Sequence, residues 1–196
     1  CDFLDDGTAV VTKIVADDGV TTVSVPSSLA NNGKDYTVTG VRFPYGTKGS
    51  DVEQLILPDT LQAMSGYYFR KLEKVKELTI PGSVTNFSCT LQNSNCLEKL
   101  TFSEGVEELS ANMMVANCSS LKEIVLPSTL KSISQPGAFS DASALETINL
   151  PDGVEFGENV GSAFSDCSSL TSITLPASVT TIHSNMFKGC DSLTSI

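Results

Sequence analysis

The chain has 196 residues, of which 40% are hydrophobic, and a formal net charge of −11. That length suffices for one compact domain or one solenoid with a real core. Only 12 residues are Lys or Arg, which argues against a nucleic-acid partner and against an anionic membrane surface. Apolar runs also stop well short of the roughly 18 residues that a membrane span needs.

The first 50 residues are the least regular part of the sequence. Segments rich in β-forming residues occupy 6–15, 21–26 and 36–41, with turn signals at Asp17-Asp18-Gly19 and Asn32-Gly33 and a loop at 42–50. A solenoid needs a cap, because its first repeat otherwise exposes one end of the core. We therefore interpret residues 1–50 as a β-rich N-terminal cap together with the first rung.

From residue 51 onward the same phrase returns every 22 to 25 residues, opening at Val52, Val75, Leu97, Leu121, Leu145, Leu170 and Leu193. Each full copy begins with a short strand whose fourth and sixth residues are apolar, as in LKEIVLP with Ile124 and Leu126. A period of two directs these side chains inward and their neighbours outward. The period and the fixed apolar positions indicate a leucine-rich solenoid with a parallel sheet on one face.

The second half of each copy predicts the opposite face. A proline ends five of the six strand phrases, two apolar residues such as Val84 and Phe87 follow three apart, and an aromatic or aliphatic residue such as Phe139 comes next. We expect short helical or irregular segments there. The predicted fold class is thus an α/β-type, right-handed solenoid, with residues 51–196 in one continuous domain.

Three cysteines occupy one repeat position. Cys118, Cys167 and Cys190 each lie three residues before the Leu that opens the next copy, where other copies hold Leu72, Ser94 and Ala142. A position shared by such residues favours a small, mostly apolar side chain. We predict that the three thiols are reduced and buried, and that Cys89 and Cys96, which could pair with each other, stay unpaired.

Residues for catalysis or cofactor binding are missing from the sequence. His183 is the single histidine and falls at a variable, surface-facing repeat position. Adjacent carboxylates lie in turns, and the chain has no CxxC, no HExxH, no EF-hand loop and no phosphate-binding glycine loop. The sequence predicts no catalytic residue, no metal ligand and no cofactor.

A binding surface is the remaining possibility. The predicted binding residues are the outward strand positions Gln54, Glu77, Lys99, Glu123 and Asn149, with Phe43, Tyr45, Tyr67 and Tyr68 as aromatic anchors. The alternative for these four aromatic residues is that they close the apolar seam between cap and array.

The pattern LxxIxLPxxVxxIxxxxFxxCxxL resembles the BspA-type leucine-rich repeats of bacterial surface and secreted proteins, most clearly over 97–196. This resemblance implies an extracellular or cell-surface, non-enzymatic adhesion module that binds a protein or a glycan. It supplies no catalytic residues. Two alternatives stay open: an inert spacer or display stalk, and an accessory domain of a larger enzyme or surface protein.

The two ends of the sequence raise separate expectations. Cys1 is either a lipid-anchored cysteine exposed by signal cleavage or simply the position at which this sequence begins. At the other end, a new strand phrase has only started at Leu193. We expect further repeats or another domain beyond Ile196, or end-to-end self-association through the open last rung.

Overall fold

The computed structural model describes residues 1–12, 17–42, 51–62, 64–66, 72–158 and 160–196. Within these ranges the chain forms sixteen strands in three sheets. The boundary that we predict near residue 50 adjoins residues outside the described ranges, so the division into cap and array stays a prediction. The right-handed sense of the solenoid is likewise a prediction.

The N-terminal sheet has the strand order β1-β2-β5-β4. Its strands are β1 (Asp2–Phe3), β2 (Thr8–Val11), β4 (Ser28–Asn31) and β5 (Lys34–Val41). Strands β4 and β5 form an antiparallel hairpin whose turn is Asn32-Gly33, with φ of 51° and 77°. Two positive φ values suit a hairpin turn, and Asn and Gly are the residues that tolerate them best. The turn predicted at this dipeptide is confirmed.

A seven-stranded parallel sheet runs the length of the repeats. Its strands are β3 (Thr22–Ser24), β6 (Gln54–Ile56), β8 (Glu77–Ile80), β10 (Lys99–Phe102), β12 (Glu123–Val125), β14 (Thr147–Asn149) and β16 (Ser172–Thr174). They pair in sequence order. The inward residues at the fourth phrase position, such as Leu78 and Leu100, are at most 4% exposed. The predicted parallel sheet of strand phrases is confirmed.

A second parallel sheet, which the sequence analysis did not predict, faces the first across the core. It contains β7 (Met64–Gly66), β9 (Asn86–Cys89), β11 (Glu108–Leu109), β13 (Ser132–Ile133) and β15 (Glu155–Phe156). The rings of Phe87 from β9 and Phe102 from β10 meet edge to face, 5.2 Å apart. Each complete repeat from β8 to β15 therefore supplies one strand to each of two sheets, with the core between them.

The helical part of the predicted fold class is wrong: the described residues contain no helix, and the irregular alternative is what we observe. In four successive repeats this segment is a turn bounded by two residues of positive φ, four positions apart. The pairs are Met113 and Asn117, Gly137 and Asp141, Ser162 and Asp166, and Asn185 and Gly189. Left-handed residues at that spacing interrupt an α-helix. Backbone N–H groups in the turns bond to the next repeat instead, as Phe139 does to Ala163 O at 2.9 Å.

The aromatic repeat position packs as a column inside these turns. Phe139 and Phe164 are fully buried, and their rings stack at 5.1 Å with an angle of 19° between planes. Phe164 stacks on Phe187 in the same way, at 5.6 Å and 7°. Each such pair contributes about 0.5–1.5 kcal/mol beyond the area that it buries. The column thus ties adjacent repeats together on the turn side.

Candidate binding face

The outward surface of the seven-stranded sheet carries two columns of side chains, because alternate residues of a strand point to opposite faces. The first outward column is Thr22, Gln54, Glu77, Lys99, Glu123, Thr147 and Ser172. The second outward column is Ser24, Ile56, Thr79, Thr101, Val125, Asn149 and Thr174. These columns form the candidate binding face.

The structure brings five of the predicted binding residues onto this face. Gln54, Glu77, Lys99 and Glu123 lie in the first outward column, and Asn149 lies in the second. All are exposed except Lys99, which is half-buried. Their role in binding stays a prediction. The four aromatic residues Phe43, Tyr45, Tyr67 and Tyr68 lie outside the described residues.

The charged side chains of the face differ in whether they have an ion-pair partner. Lys99 Nζ lies 2.9 Å from Glu123 Oε2, so these two residues neutralise each other across adjacent strands. Glu77 is the register partner of Lys99 on the other side, yet it forms no ion pair within the described part of the chain. The Lys99–Glu123 ion pair is solvent-exposed and therefore contributes little to stability. An unpaired carboxylate is therefore left at the N-terminal half of the face.

A shallow cleft lies beside that carboxylate. It has a volume of ≈ 160 Å³ and is lined by Gln54, Ile56, Glu77 and Thr79, among others. Ile56 is 45% exposed there, and Val125 is 36% exposed further along the second outward column. The repeat pattern predicts that both side chains point outward, but we did not name either of them among the binding residues. The signal was present: they are the aliphatic members of a column that otherwise holds Ser, Thr and Asn.

On the outward side of the second sheet, four polar side chains form a hydrogen-bonded network. Asn86 Nδ2 donates to Glu108 Oε2 at 2.7 Å, and Ser110 Oγ donates to Asn86 Oδ1 at 2.6 Å. Ser134 Oγ donates to the second carboxylate oxygen of Glu108 at 2.9 Å. A partner that docked here would have to break these bonds before making its own. The second sheet is accordingly the poorer binding surface.

The cysteines offer no reactive group inside the repeats. None of the six cysteines takes part in a disulfide bond, and the sequence analysis predicts no Cys89–Cys96 bridge. Cys118 and Cys167 are fully buried, and burial raises the pKa of each thiol to about 12. Their neutral S–H groups are poor nucleophiles at pH 7. The prediction of reduced, buried thiols is confirmed for these two.

Cys190 departs from the prediction, since it is only half-buried. Cys190 follows the last of the four described turns, and no described turn packs over it. The described residues contain no group of three or more His, Cys, Asp or Glu side chains that could hold a metal ion. They also contain no helix able to cross a membrane.

A family model for the BspA type leucine rich repeat region matches residues 45–160 and 160–196, in six copies. The chain belongs to the BspA-type leucine-rich repeat family. Leucine-rich repeat proteins are typically protein-interaction modules, and such repeat families are generally non-enzymatic. No match was found among curated proteins.

Two solved structures resemble this BspA-type chain. A leucine-rich repeat protein from Bacteroides ovatus superposes with a TM-score of 0.65 at 25% identity, covering 97% of this chain and 43% of that protein. The leucine-rich repeat protein of T. pallidum superposes with a TM-score of 0.53 at 22% identity, covering 67% of this chain and 66% of that protein. This chain therefore spans less than half of the Bacteroides protein.

Proposed function

We propose that this chain is a non-enzymatic binding module of a bacterial cell-surface or secreted protein, and that it recognises a partner protein through the candidate binding face. The observation that carries the proposal is the contrast between the two sheets. On the second sheet Asn86, Glu108, Ser110 and Ser134 bond to one another, whereas on the first sheet Glu77 has no such partner among the described residues and the exposed Ile56 lies in the same cleft. Family membership supports a surface or secreted location, and a lipid on Cys1 stays a prediction.

The dimensions of the face suit a protein partner. Seven strands spaced ~4.8 Å apart give a surface about 30 Å long, comparable to one side of a standard protein interface. Aliphatic anchors within a polar surround are the usual pattern of such interfaces. The described outward columns hold no aromatic side chain, which sugar-binding surfaces commonly use as a stacking platform. We therefore favour a protein over a glycan.

An inert spacer is the second candidate function. Much of the face carries small hydroxyl side chains, which offer a partner little contact area. These residues are Thr79, Thr101, Thr147, Ser172 and Thr174. The end-to-end self-association that the sequence analysis expects would suit such a spacer. The role as accessory domain of a larger protein is compatible with either candidate.

Selection of peptides from a random phage-displayed library on the immobilised chain separates the two candidates. We expect enriched clones whose binding is lost on the variant Ile56→Lys/Val125→Lys. The matched control is Ser83→Lys/Thr85→Lys, which likewise places two lysines at exposed positions, here beside the second sheet. Truncating or reversing a hot-spot contact costs about 2 kcal/mol or more. Clones that bind both variants equally, or a failure to enrich any clone, would contradict the proposed face.

A further inference from the structure

A groove of ≈ 400 Å³ lies on the turn side of the molecule, apart from the candidate binding face. Turns of four successive repeats form it, and we call it the turn groove. Its walls come from two columns of left-handed residues: Met113, Gly137, Ser162 and Asn185 on one side, and Asp141 and Asp166 on the other. Its floor contains Ser140 and Ser165.

Two aspartates from adjacent turns line the turn groove. Asp141 and Asp166 occupy the same repeat position, with φ of 58° and 60°. The backbone N–H of Asp141 donates to Ser165 O at 2.9 Å, so the two turns are in direct contact, about 5 Å apart. Neither aspartate forms an ion pair within the described ranges, and Lys188, which also lines the groove, does not neutralise them. An unneutralised pair of like charges attracts an external cation.

The floor supplies a second, independent observation that points to a ligand. Ser140 is 3% exposed, and its hydroxyl donates to the carbonyl oxygen of Gly137 at 2.9 Å. Ser165 is the equivalent residue one repeat later and is 8% exposed, yet its hydroxyl forms no hydrogen bond with any described residue. A buried hydroxyl without a partner is unfavourable. A ligand atom in the groove would satisfy it.

The apolar part of the groove narrows the class of ligand. Met113 is 41% exposed, and it lines the groove together with Pro136. An arginine side chain combines an aliphatic stem, which packs on such a surface, with a planar guanidinium that bonds to two carboxylate groups at once. We propose that the turn groove binds an arginine side chain of a partner protein, with the guanidinium between Asp141 and Asp166 and within reach of Ser165.

Fluorescence anisotropy with a labelled Gly-Arg-Gly-Arg-Gly peptide tests the proposal at low salt. The decisive variant is Asp141→Asn/Asp166→Asn, which should fold normally because Asn93 and Asn117 hold the same left-handed position in earlier repeats. We expect it to weaken binding about tenfold or more. Ser165→Ala should weaken binding by a smaller factor.

The control for net charge is Glu146→Gln/Asp152→Asn, which removes two exposed carboxylates outside the groove. It should bind the peptide within about twofold of the unaltered chain, since screened distant charges contribute little. A peptide with citrulline in place of arginine has the same shape without the charge, and it should not bind. Equal weakening by both double variants, equal binding of the citrulline peptide, or no binding by the unaltered chain would overturn the proposal.

Discussion

At the scale of single residues, the repeated cysteine position has a polar role that the sequence did not reveal. The Sγ atoms of Cys167 and Cys190 donate to the carbonyl oxygens of Phe139 and Phe164 in the preceding turn, at 3.1 and 3.0 Å. Ser94 occupies the same position and accepts a hydrogen bond from the backbone N–H of Leu72 at 3.1 Å. The sequence predicts a small side chain here, but its partners are backbone groups one repeat away, which no local pattern displays.

The buried thiols make stability depend on alkaline pH. Burial raises the pKa of Cys118 and Cys167 from 9.0 to about 12. The unfolded chain therefore loses these protons first, so the thiols' contribution to stability is complete below pH 9 and is lost between pH 9 and about 12. We expect the free energy of unfolding from urea denaturation to fall over that interval by at most about 1.4 kcal/mol per pH unit for each thiol.

The variant Cys118→Ala/Cys167→Ala isolates this contribution from other groups that titrate at the same pH. Ala142 fills the same repeat position, so alanine is compatible with the fold. The variant should be less stable than the unaltered chain at pH 8 and should lose less stability as the pH rises. Parallel pH profiles for the two proteins would contradict the presence of protonated, buried thiols.

Gly82 is required by a close approach of two backbones. A Cβ atom at this position would overlap the carbonyl oxygen of Glu104 in the next repeat, and a backbone cannot move aside as a side chain can. We expect Gly82→Ala to cost about 3 kcal/mol of unfolding free energy. Gly153 is the matched control, because it has open space around it and only its φ of 83° opposes a side chain.

Gly153→Ala should cost about 1 kcal/mol, the penalty of a left-handed residue with a Cβ. Urea denaturation of the two variants measures both values. If Gly153→Ala proved the more damaging change, the packing of adjacent turns at Gly82 and Glu104 would be described wrongly.

At the scale of elements, the strands of the first sheet could be predicted because their inward and outward residues alternate in every copy. The second sheet was not predicted because most of its strands are too short to show an alternation of inward and outward residues. Strand β13 is two residues long and buries Ile133 alone, and β11 likewise buries only Leu109. Among the better-defined strands, β9 shows the alternation, with Phe87 and Cys89 both buried. That single copy was the available clue.

The same reasoning explains the outcome for the candidate site. Outward positions followed from alternation, so five predicted residues lie on one face. The sequence did not predict which of these side chains remain available to a ligand. That depends on the ion pairs that the side chains form with each other, as Lys99 does with Glu123. The sequence analysis left helical and irregular segments both open for the turns, because Asn, Asp and Ser occur in helix caps as well as in left-handed turns.

Met113 tests the description of the turns. It has a φ of 47° and is exposed, whereas the equivalent residue of the next repeat is Gly137. Met113→Gly removes the strain of a left-handed side chain but gives the unfolded chain more freedom. We expect a net gain of about 0.5 kcal/mol in thermal or urea denaturation. Met114→Gly is the control, since Met114 is fully buried and its loss should destabilise the protein by about 3 kcal/mol.

At the scale of the whole molecule, stabilising contacts join each repeat to its neighbours. The ion pairs Lys74–Asp51, Lys76–Glu53, Lys99–Glu123 and Lys131–Glu107 each connect adjacent rungs. The aromatic column and the backbone ladders do the same. Stability of such an array is approximately a sum of repeats and interfaces between them. A complete repeat should therefore be removable, and the binding face should shorten by one strand.

The central claim is that one copy of the repeat forms one complete coil of the solenoid and supplies one strand to each sheet. Removal of residues 121–144 is the most direct test of this claim. Leu145 then follows Ser120 in the place of Leu121, and both sheets keep their register. We predict a folded protein with a single cooperative thermal transition and a β-type circular dichroism spectrum. Removal of residues 121–132, half a repeat, should leave it unfolded because strands of the two sheets would be brought together. Loss of the cooperative transition on removal of 121–144, or its survival on removal of 121–132, would contradict the account.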